Sequence, residues 1–451
     1  MNERGERALV IGLGRSGLAA CEVLRERGWE VLATDESPER VGETLARILE
    51  LGVTFVPTEE LRRRLRGNEM AVLSPGVPHG AHPVQIARAL GCRILGEVEL
   101  ASRFADAPIL AVTGTKGKST TSALLAHLLR SDGLHTALGG NIGAPLIREV
   151  LADGLDAIVA ELSSFQLESI EEFRARIAVL LNLAPDHLDR YGSMEEYAAA
   201  KFRIVENCES EDTLVVNLDD ERLAAFAASV AHRVQIVGYS LRDPAAQIAL
   251  IEERILDTRS GTTLAQLADI PLLGRHNVGN AMAALAAALA FGMRAESFPA
   301  ALRSFGGMAH RLERIAQIRG VTYIDDSKAT NPEAAIAALH AFSAQLIAIV
   351  GGRAKGTAFD ALANALVERA SAVLLIGEAA AEIEHKIAGR VHSERLSTLA
   401  AAVERAAAIA HSGAVVLLSP ACASFDMFRS AEHRGEEFAR AVAALEVTPH
   451  A

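Results

Sequence analysis

The sequence predicts an α/β protein of three domains, and three observations carry that prediction. Short apolar runs ending in Gly, Ser or Asp alternate with helix-length segments rich in Ala, Leu, Glu and Arg, the pattern of βαβ units and parallel sheets. The alternation recurs in three blocks, and in the first two a glycine-rich loop follows the opening strand. The chain has 451 residues, half of them apolar, which is enough to bury several cores and excludes a disordered protein.

The first block holds strands near 7–12, 29–34 and 70–73 and closes near Gly96. The second begins with PILAVTG (108–114) and continues through DAIVAEL (156–162), RIAVLLNL (176–183) and TLVVNL (213–218). A less regular stretch from about 230 to 273 follows, then an Ala-rich helix from about 277. The third block runs VTYIDDS (321–327), LIAIVGG (346–352), AVLLIG (372–377) and AVVLLS (414–419). These blocks predict a Rossmann-like N-terminal domain (1–96), a central P-loop ATPase-like domain (97–306) and a Rossmann-like C-terminal domain (307–451).

Composition narrows the function. With 45 Lys+Arg against 57 Asp+Glu the net charge is −12, so nucleic acid and anionic membrane surfaces are disfavoured at long range. The apolar stretch at 281–293 is too short to span a bilayer, and the N-terminus lacks a signal-peptide h-region. Cysteines 21, 92, 208 and 422 are too dispersed for a disulfide framework or a zinc cluster. A cytoplasmic, monomeric protein is expected.

GLGRSG (12–17) is a full G-x-G-x-x-G between strand and helix, with Asp35 ending the next strand. The motif suits a diphosphate at a helix N-terminus, whether from NAD or from a nucleotide sugar; the plain alternative is tight βα packing. TGTKGKSTT (113–121) misses the strict P-loop pattern, because Val112 stands where the first Gly belongs. Its working parts remain: Gly114 and Gly117 free the backbone to wrap phosphate, Lys118 reaches terminal phosphates, and Ser119 suits Mg²⁺, so ATP or GTP is expected.

Glu161 closes a neighbouring strand, and Asp186 and His187 follow another, where they suit Mg²⁺ at the phosphates, although imidazole is an atypical ligand for that ion. Lys201 falls in an expected helix, 193–208, flanked by Ala and Phe. Such a lysine either snorkels to water or, desolvated, becomes a neutral amine able to form a carbamate with CO₂. The third block gathers Asp325, Asp326, Ser327, Lys328, Thr330 and Asn331, then Gly351, Gly352 and Lys355, then Ser419 and Ser424, at strand ends. Loop chemistry explains the Gly and Pro there, and helix capping the Asp or Ser. The two lysines read as receptors for a carboxylate or phosphate.

Taken jointly, TGTKGKSTT, SPGVP (74–78), GGNIG (139–143), ELSSFQLE (161–168), NLAPDHLDRYGS (182–193), GRHNVGN (274–280), HRLE (310–313), DDSKATNP and LSPACASFDMF (418–428) resemble the ATP-dependent Mur ligases of peptidoglycan synthesis, most closely their glutamate-adding branch. The resemblance covers essentially the whole chain. It implies an ADP-forming ligase that adds D-glutamate to UDP-N-acetylmuramoyl-L-alanine through an acyl phosphate, using ATP and two Mg²⁺ sites. Arg15, Ser16, Asp35, Glu36, Ser74, Gly76 and Asn141 would then face the UDP-sugar. Gly114, Thr115, Lys116, Gly117, Lys118, Ser119 and Thr120, with Asn277, Arg311 and Asp326, would hold ATP. Ser119, Glu161, His187 and Lys201 as a carbamate would hold metal, and Lys328, Thr330, Lys355, Ser424 and Phe425 the glutamate. Lys118, His187, Lys201 and Arg311 are the catalytic set. Three positions depart from the family pattern: Lys116 stands for Asn, Glu36 for Thr, and Ala431 for an aromatic residue.

The rival readings are a folylpolyglutamate-type ligase, which lacks the N-terminal glycine-rich block, and an NAD-dependent oxidoreductase, which lacks a hydride-transfer acid or base here. A catalytically silent nucleotide sensor is the third.

Overall fold

The computed structural model describes residues 6–447 apart from 38, 40, 41, 188, 189, 273, 355 and 357. Among the described residues there are three sheets, one for each block of the sequence. The first comprises β1 (Arg7–Ile11), β2 (Glu30–Thr34), β3 (Thr54–Phe55), β4 (Met70–Leu73) and β5 (Arg93–Gly96), all parallel in the order 3-2-1-4-5. Alternation along β1 explains why both faces are covered. Ala8 and Val10 join one apolar cluster, while Leu9 and Ile11 join another on the opposite face.

The second sheet comprises β6 (Ile109–Thr113), β7 (Thr136–Gly140), β8 (Ala157–Glu161), β9 (Ile177–Leu180), β10 (Thr213–Asn217), β11 (Gln235–Ser240), β12 (Ile248–Ile251), β13 (Arg254–Asp257) and β14 (Thr262–Gln266). Its order is 14-13-12-11-10-9-6-8-7. The stretch that reads as irregular in the sequence is an extension of this sheet: β12, β13 and β14 form an antiparallel meander added to β11. The Ala-rich segment is the helix Arg275–Ala290, whose residues Ala281 to Ala288 are sealed from solvent on every face. Among the described residues no helix is long and apolar enough to cross a membrane.

The third sheet comprises β15 (Glu313–Ile318), β16 (Val321–Asp325), β17 (Leu346–Gly351), β18 (Ala370–Ile376), β19 (His392–Arg395) and β20 (Val415–Leu418) in the order 15-16-20-17-18-19, with only β15 antiparallel. The chain forms two compact units, one of residues 1–270 with 278–305 and one of 271–277 with 306–451. The first unit holds the first two sheets, and one continuous apolar cluster, running from Ala8 to Val234, links them through Val98, Leu100, Ala101 and Phe104 of the helix Glu97–Phe104. All four cysteines are buried and free, as the dispersed spacing predicts.

In open parallel sheets ligands gather at the carboxyl ends of strands where the order reverses. The reversal falls between β1 and β4 in the first sheet and at β6, between β9 and β8, in the second. In the third it falls at β20, between β16 and β17.

Candidate functional site

The loop after β1 leads into the helix Arg15–Glu26. A Cβ on Gly17 would lie 1.9 Å from the Gly12 carbonyl oxygen, so this glycine lets the helix pack onto its own loop. Gly14 has a different role, because nothing lies within 4 Å of where its Cβ would be. Packing therefore explains the third glycine of the motif but leaves the second open, as close approach of a ligand to backbone requires. A cleft of about 450 Å³ opens there, and Arg15, Ser16, Asp35, Ser74, Gly76 and Asn141 all line it. Asp35 accepts the Leu13 N–H at 2.7 Å and the Ser37 N–H at 2.8 Å, so its carboxylate also fixes the loop. Arg15 donates to the Gly143 carbonyl. Glu36 is outside the lining; it is exposed and accepts the His82 N–H at 3.2 Å.

The second loop joins β6 to the helix Lys118–Ser131. Gly117 caps that helix at φ +82°, a left-handed conformation that a side chain would strain. The loop is tied to the chain after β9. Thr115 N–H donates to the Asn182 carbonyl at 3.0 Å, the Lys116 N–H to Asn182 Oδ1 at 2.8 Å, and Asn182 Nδ2 to the Lys116 carbonyl at 3.0 Å. Lys118 Nζ folds back onto the Gly114 and Thr115 carbonyls at 2.9 and 3.0 Å. Ser119 and Thr120 occupy the first turn of the helix, half-buried, while Lys116 is exposed. Asn182 and Tyr197, whose hydroxyl lies 3.2 Å from Thr115 Oγ1, hold this loop in place and were left unassigned by the sequence reading. Asn182 stands inside a quoted motif, so the signal was there to be used.

Lys201 lies in the helix Met194–Phe202, which ends six residues earlier than the sequence reading expected and passes into a 3₁₀ turn. The side chain does not snorkel. It is 1% exposed, its Nζ donates to the Gly114 carbonyl at 2.9 Å, and the ammonium sits 4.8 Å from the centre of the Tyr197 ring. Burial, with the neighbouring Lys118 charge, lowers its pKa from 10.5 to about 7.

Glu161 ends β8 opposite Val112 of β6, one residue before the phosphate loop begins. Its Oε1 accepts Asn141 Nδ2 at 2.7 Å, while Oε2 is buried and has no hydrogen-bond partner. An orphaned carboxylate oxygen is costly unless a cation or donor completes it. Oxygen donors from Glu161 and Ser119 suit a hard divalent ion. His187 sits at φ +54° in the loop after β9, exposed, with its ring 4.8 Å from that of Phe165. Asn141 thus ties the first cleft to Glu161, and Lys118 and Lys201 converge on one carbonyl of the second loop.

The second unit carries the other predicted residues. Asn277 is buried near the start of the Ala-rich helix. Around β16, Arg311 is exposed between His310 and Leu312, which take φ +66° and +46°. This tight loop is held by five bonds: His310 Nδ1 to Asp325 Oδ2 at 2.7 Å, the His310 N–H to Glu313 at 2.7 Å, the Arg311 N–H to the Met308 carbonyl at 3.2 Å, the Leu312 N–H to Asp326 at 3.3 Å, and the Lys328 N–H to the His310 carbonyl at 3.2 Å. Burial pushes the Asp326 carboxyl up to about 7, against hydrogen bonds from Ser419 Oγ and the Leu312 N–H.

Lys328 does not stand as an empty receptor. Its ammonium pairs with Glu432, and that bond holds the Glu432 carboxyl down at about 2. Thr330 is half-buried, and Asn331 caps the helix Pro332–Leu339 by accepting the Ala334 N–H. Ser424 is buried, and its carbonyl accepts the Phe428 N–H at 2.8 Å. Phe425 is 65% exposed. Lys355 lies outside the described residues. Arg434, fully buried with its guanidinium on the Ser327 and Cys422 carbonyls, could not be singled out from its pattern, because it sits in a charged run that looks solvated.

Comparison with known proteins places the three blocks of the chain in one family. Residues 6–96 match the Mur ligase MurD-like N-terminal domain, 112–288 the Mur ligase middle domain, and 310–422 the Mur ligase glutamate ligase domain. The chain belongs to the Mur ligase family. Relatives include the UDP-N-acetylmuramoylalanine--D-glutamate ligase of Koribacter versatilis, 41% identical with 97% of each chain covered. The enzyme of the same name from Solibacter usitatus is 42% identical with 99% of each covered. Among solved structures, the UDP-N-acetylmuramate-alanine ligase MurC from Thermotoga maritima shares the fold, with a TM-score of 0.63 at 19% identity over 98% of this chain and 99% of that one.

Proposed function

We propose that this protein is an ATP-dependent ligase that joins D-glutamate to UDP-N-acetylmuramoyl-L-alanine in peptidoglycan precursor synthesis, with release of ADP and phosphate. One observation carries the catalytic reading: two lysines, Lys118 and Lys201, converge on the Gly114 carbonyl of a phosphate loop whose strand pairs with the orphaned carboxylate of Glu161. In this reading residues 1–96 bind the UDP-sugar, 97–306 bind ATP and 307–451 bind glutamate. The UDP-sugar lies in the cleft of Arg15, Ser16, Asp35, Ser74, Gly76 and Asn141, and Glu36 contributes from its rim.

A carboxylate is a poor electrophile because its charge is delocalised, so amide formation needs activation. The γ-phosphoryl of ATP passes to the L-alanine carboxylate, an oxygen of which becomes the bridge of an acyl phosphate as ADP leaves. The protein's part is positioning and charge compensation. The loop from Gly114 to Thr120 offers backbone N–H groups, and Lys118 exchanges its two loop carbonyls for phosphate oxygens. Asn277, Arg311 and Asp326 are assigned to the nucleotide as well. Two Mg²⁺ sites fit Ser119, Glu161, His187 and Lys201, and when bound the ions neutralise phosphate charge.

Lys201 is held near its neutral form at pH 7, which a carbamate requires. The Nζ–C bond forms on CO₂, one proton leaves to solvent, and the side chain becomes a carboxylate oriented by the Gly114 loop. Lys328, Thr330, Lys355, Ser424 and Phe425 receive glutamate, whose neutral amine attacks the acyl carbon and expels phosphate. The protein acts as a cytoplasmic monomer on small molecules, without nucleic acid or membrane.

The test is phosphate release and product mass with ATP, Mg²⁺ and UDP-N-acetylmuramoyl-L-alanine against a panel of amino acids that includes both glutamate enantiomers. Turnover with D-glutamate alone is expected. Turnover with diaminopimelate or lysine, or none with any amino acid, refutes the reading.

A further inference from the structure

The second unit contains a cleft of about 570 Å³ remote from the carboxyl ends of its strands. Its floor is the start of β16, and its walls are the helices Leu399–Ile409 and Ala431–Val447. The walls are shallow because the facing residues are small: Ala400, Ala407 and Ala408 on one helix, Ala441 and Ala444 on the other. Helical periodicity puts 400, 404, 407 and 408 on one face.

Small residues alone would be only loose packing. The second observation is Tyr323. Alternation along β16 directs it, with Val321, toward these helices, and it is 1% exposed. Its hydroxyl nevertheless has no hydrogen-bond partner among the described residues and is not among the sealed polar atoms, so it opens into the cleft. The ring is thus packed against the helices while its hydroxyl is presented to the cleft, where a polar group of a ligand can complete it. Arg319 stands at the mouth, in the two-residue turn between β15 and β16, where it shares left-handed geometry with Gly320. Burial raises the Tyr323 pKa while the Arg319 charge lowers it, which places the guanidinium's field at the hydroxyl. Glu404 is the other charged residue of the lining.

We propose that this cleft is a binding site for a small amphipathic monoanion, its apolar body against the alanine walls and its head between Arg319 and the Tyr323 hydroxyl. Glu404 opposes a second negative charge. Neither the phosphate loop nor the UDP-sugar cleft takes part, so the site is independent of the ligase reading.

The probe is 8-anilinonaphthalene-1-sulfonate, a bicyclic body with one sulfonate, titrated by fluorescence into the full chain with ADP and UDP present. Saturable binding is expected, displaced by decanoate and about tenfold more weakly by uncharged decanol. Arg319→Gln should weaken the probe about tenfold, as loss of one charge-assisted bond does. Tyr323→Phe should weaken it severalfold, and Ala407→Leu, which fills the space, should abolish it. Should Ala407→Leu unfold, the Arg319 variant and the decanol comparison still decide. Non-saturable binding, equal competition by decanol, or a signal unchanged in Arg319→Gln would overturn the proposal.

Discussion

Lys201→Met should stabilise the protein while abolishing its turnover. The lysine is 1% exposed, and its pKa falls from 10.5 to about 7 on folding. At about 1.4 kcal/mol per tenfold change in proton affinity, holding the ammonium in that site costs on the order of 4 to 5 kcal/mol relative to the unfolded chain. The sign follows from proton counting. Between pH 7 and 10.5 the unfolded chain keeps a proton that the folded chain has released, so stability rises with pH across that window. Below pH 7 the full cost is present. Methionine has a similar reach and no charge, and it loses the bond to the Gly114 carbonyl and the contact of the ammonium with the Tyr197 ring, together about 1 to 2 kcal/mol. A net gain of about 3 kcal/mol at pH 7 should raise the melting temperature of the first unit by several degrees. Differential scanning calorimetry at pH 6.5, 7.5 and 9 reads the gain, which should shrink as pH rises, and phosphate release reads the activity. A variant that melts lower at pH 7, or turns over at the wild-type rate, refutes the argument that a destabilising lysine is kept for its chemistry.

Gly14→Ala should leave the melting temperature within about 1 °C yet raise KM for the UDP-sugar at least about tenfold, because its Cβ meets open space in the cleft proposed to take that ligand. Gly17→Ala should instead destabilise the fold, since its Cβ would sit 1.9 Å from the Gly12 carbonyl oxygen. Glu432→Gln should lower KM for glutamate severalfold by freeing Lys328, and an unchanged KM would remove Lys328 from the glutamate pocket. Glu97 is buried with its carboxyl raised to about 7 by desolvation, so its contribution is lost as pH rises through that value. Glu97→Gln, which can still accept the Ile147 N–H, should therefore raise the melting temperature at pH 8 and leave it nearly unchanged at pH 5.

The sheets were legible wherever a strand is buried on both faces, because such strands read as continuous apolar runs: β1, β6, β8, β9, β17 and β20 all stand near their expected places. The edge strands β3, β14, β15 and β19 were not, since short half-exposed segments such as HSER lack any such run. The phosphate loop could be read because glycine, lysine and serine at fixed spacing serve one purpose, and the cleft residues because they end strands. Two features could not be read. Pairing of Lys328 with Glu432 joins residues more than a hundred positions apart, and Arg434 hides in a charged run whose burial depends on packing over Ser327 and Cys422. Glu161 lay between these cases: its position marked it, but only the structure reveals the oxygen left without a partner.

The central claim is that ATP activates a carboxylate, and oxygen transfer tests it most directly. UDP-N-acetylmuramoyl-L-alanine labelled with ¹⁸O in its terminal carboxylate is turned over with ATP and D-glutamate, and the released phosphate is analysed by mass. An acyl phosphate predicts one labelled oxygen in each phosphate, because the bridging oxygen leaves with phosphorus when the amine attacks. Unlabelled phosphate would contradict the account.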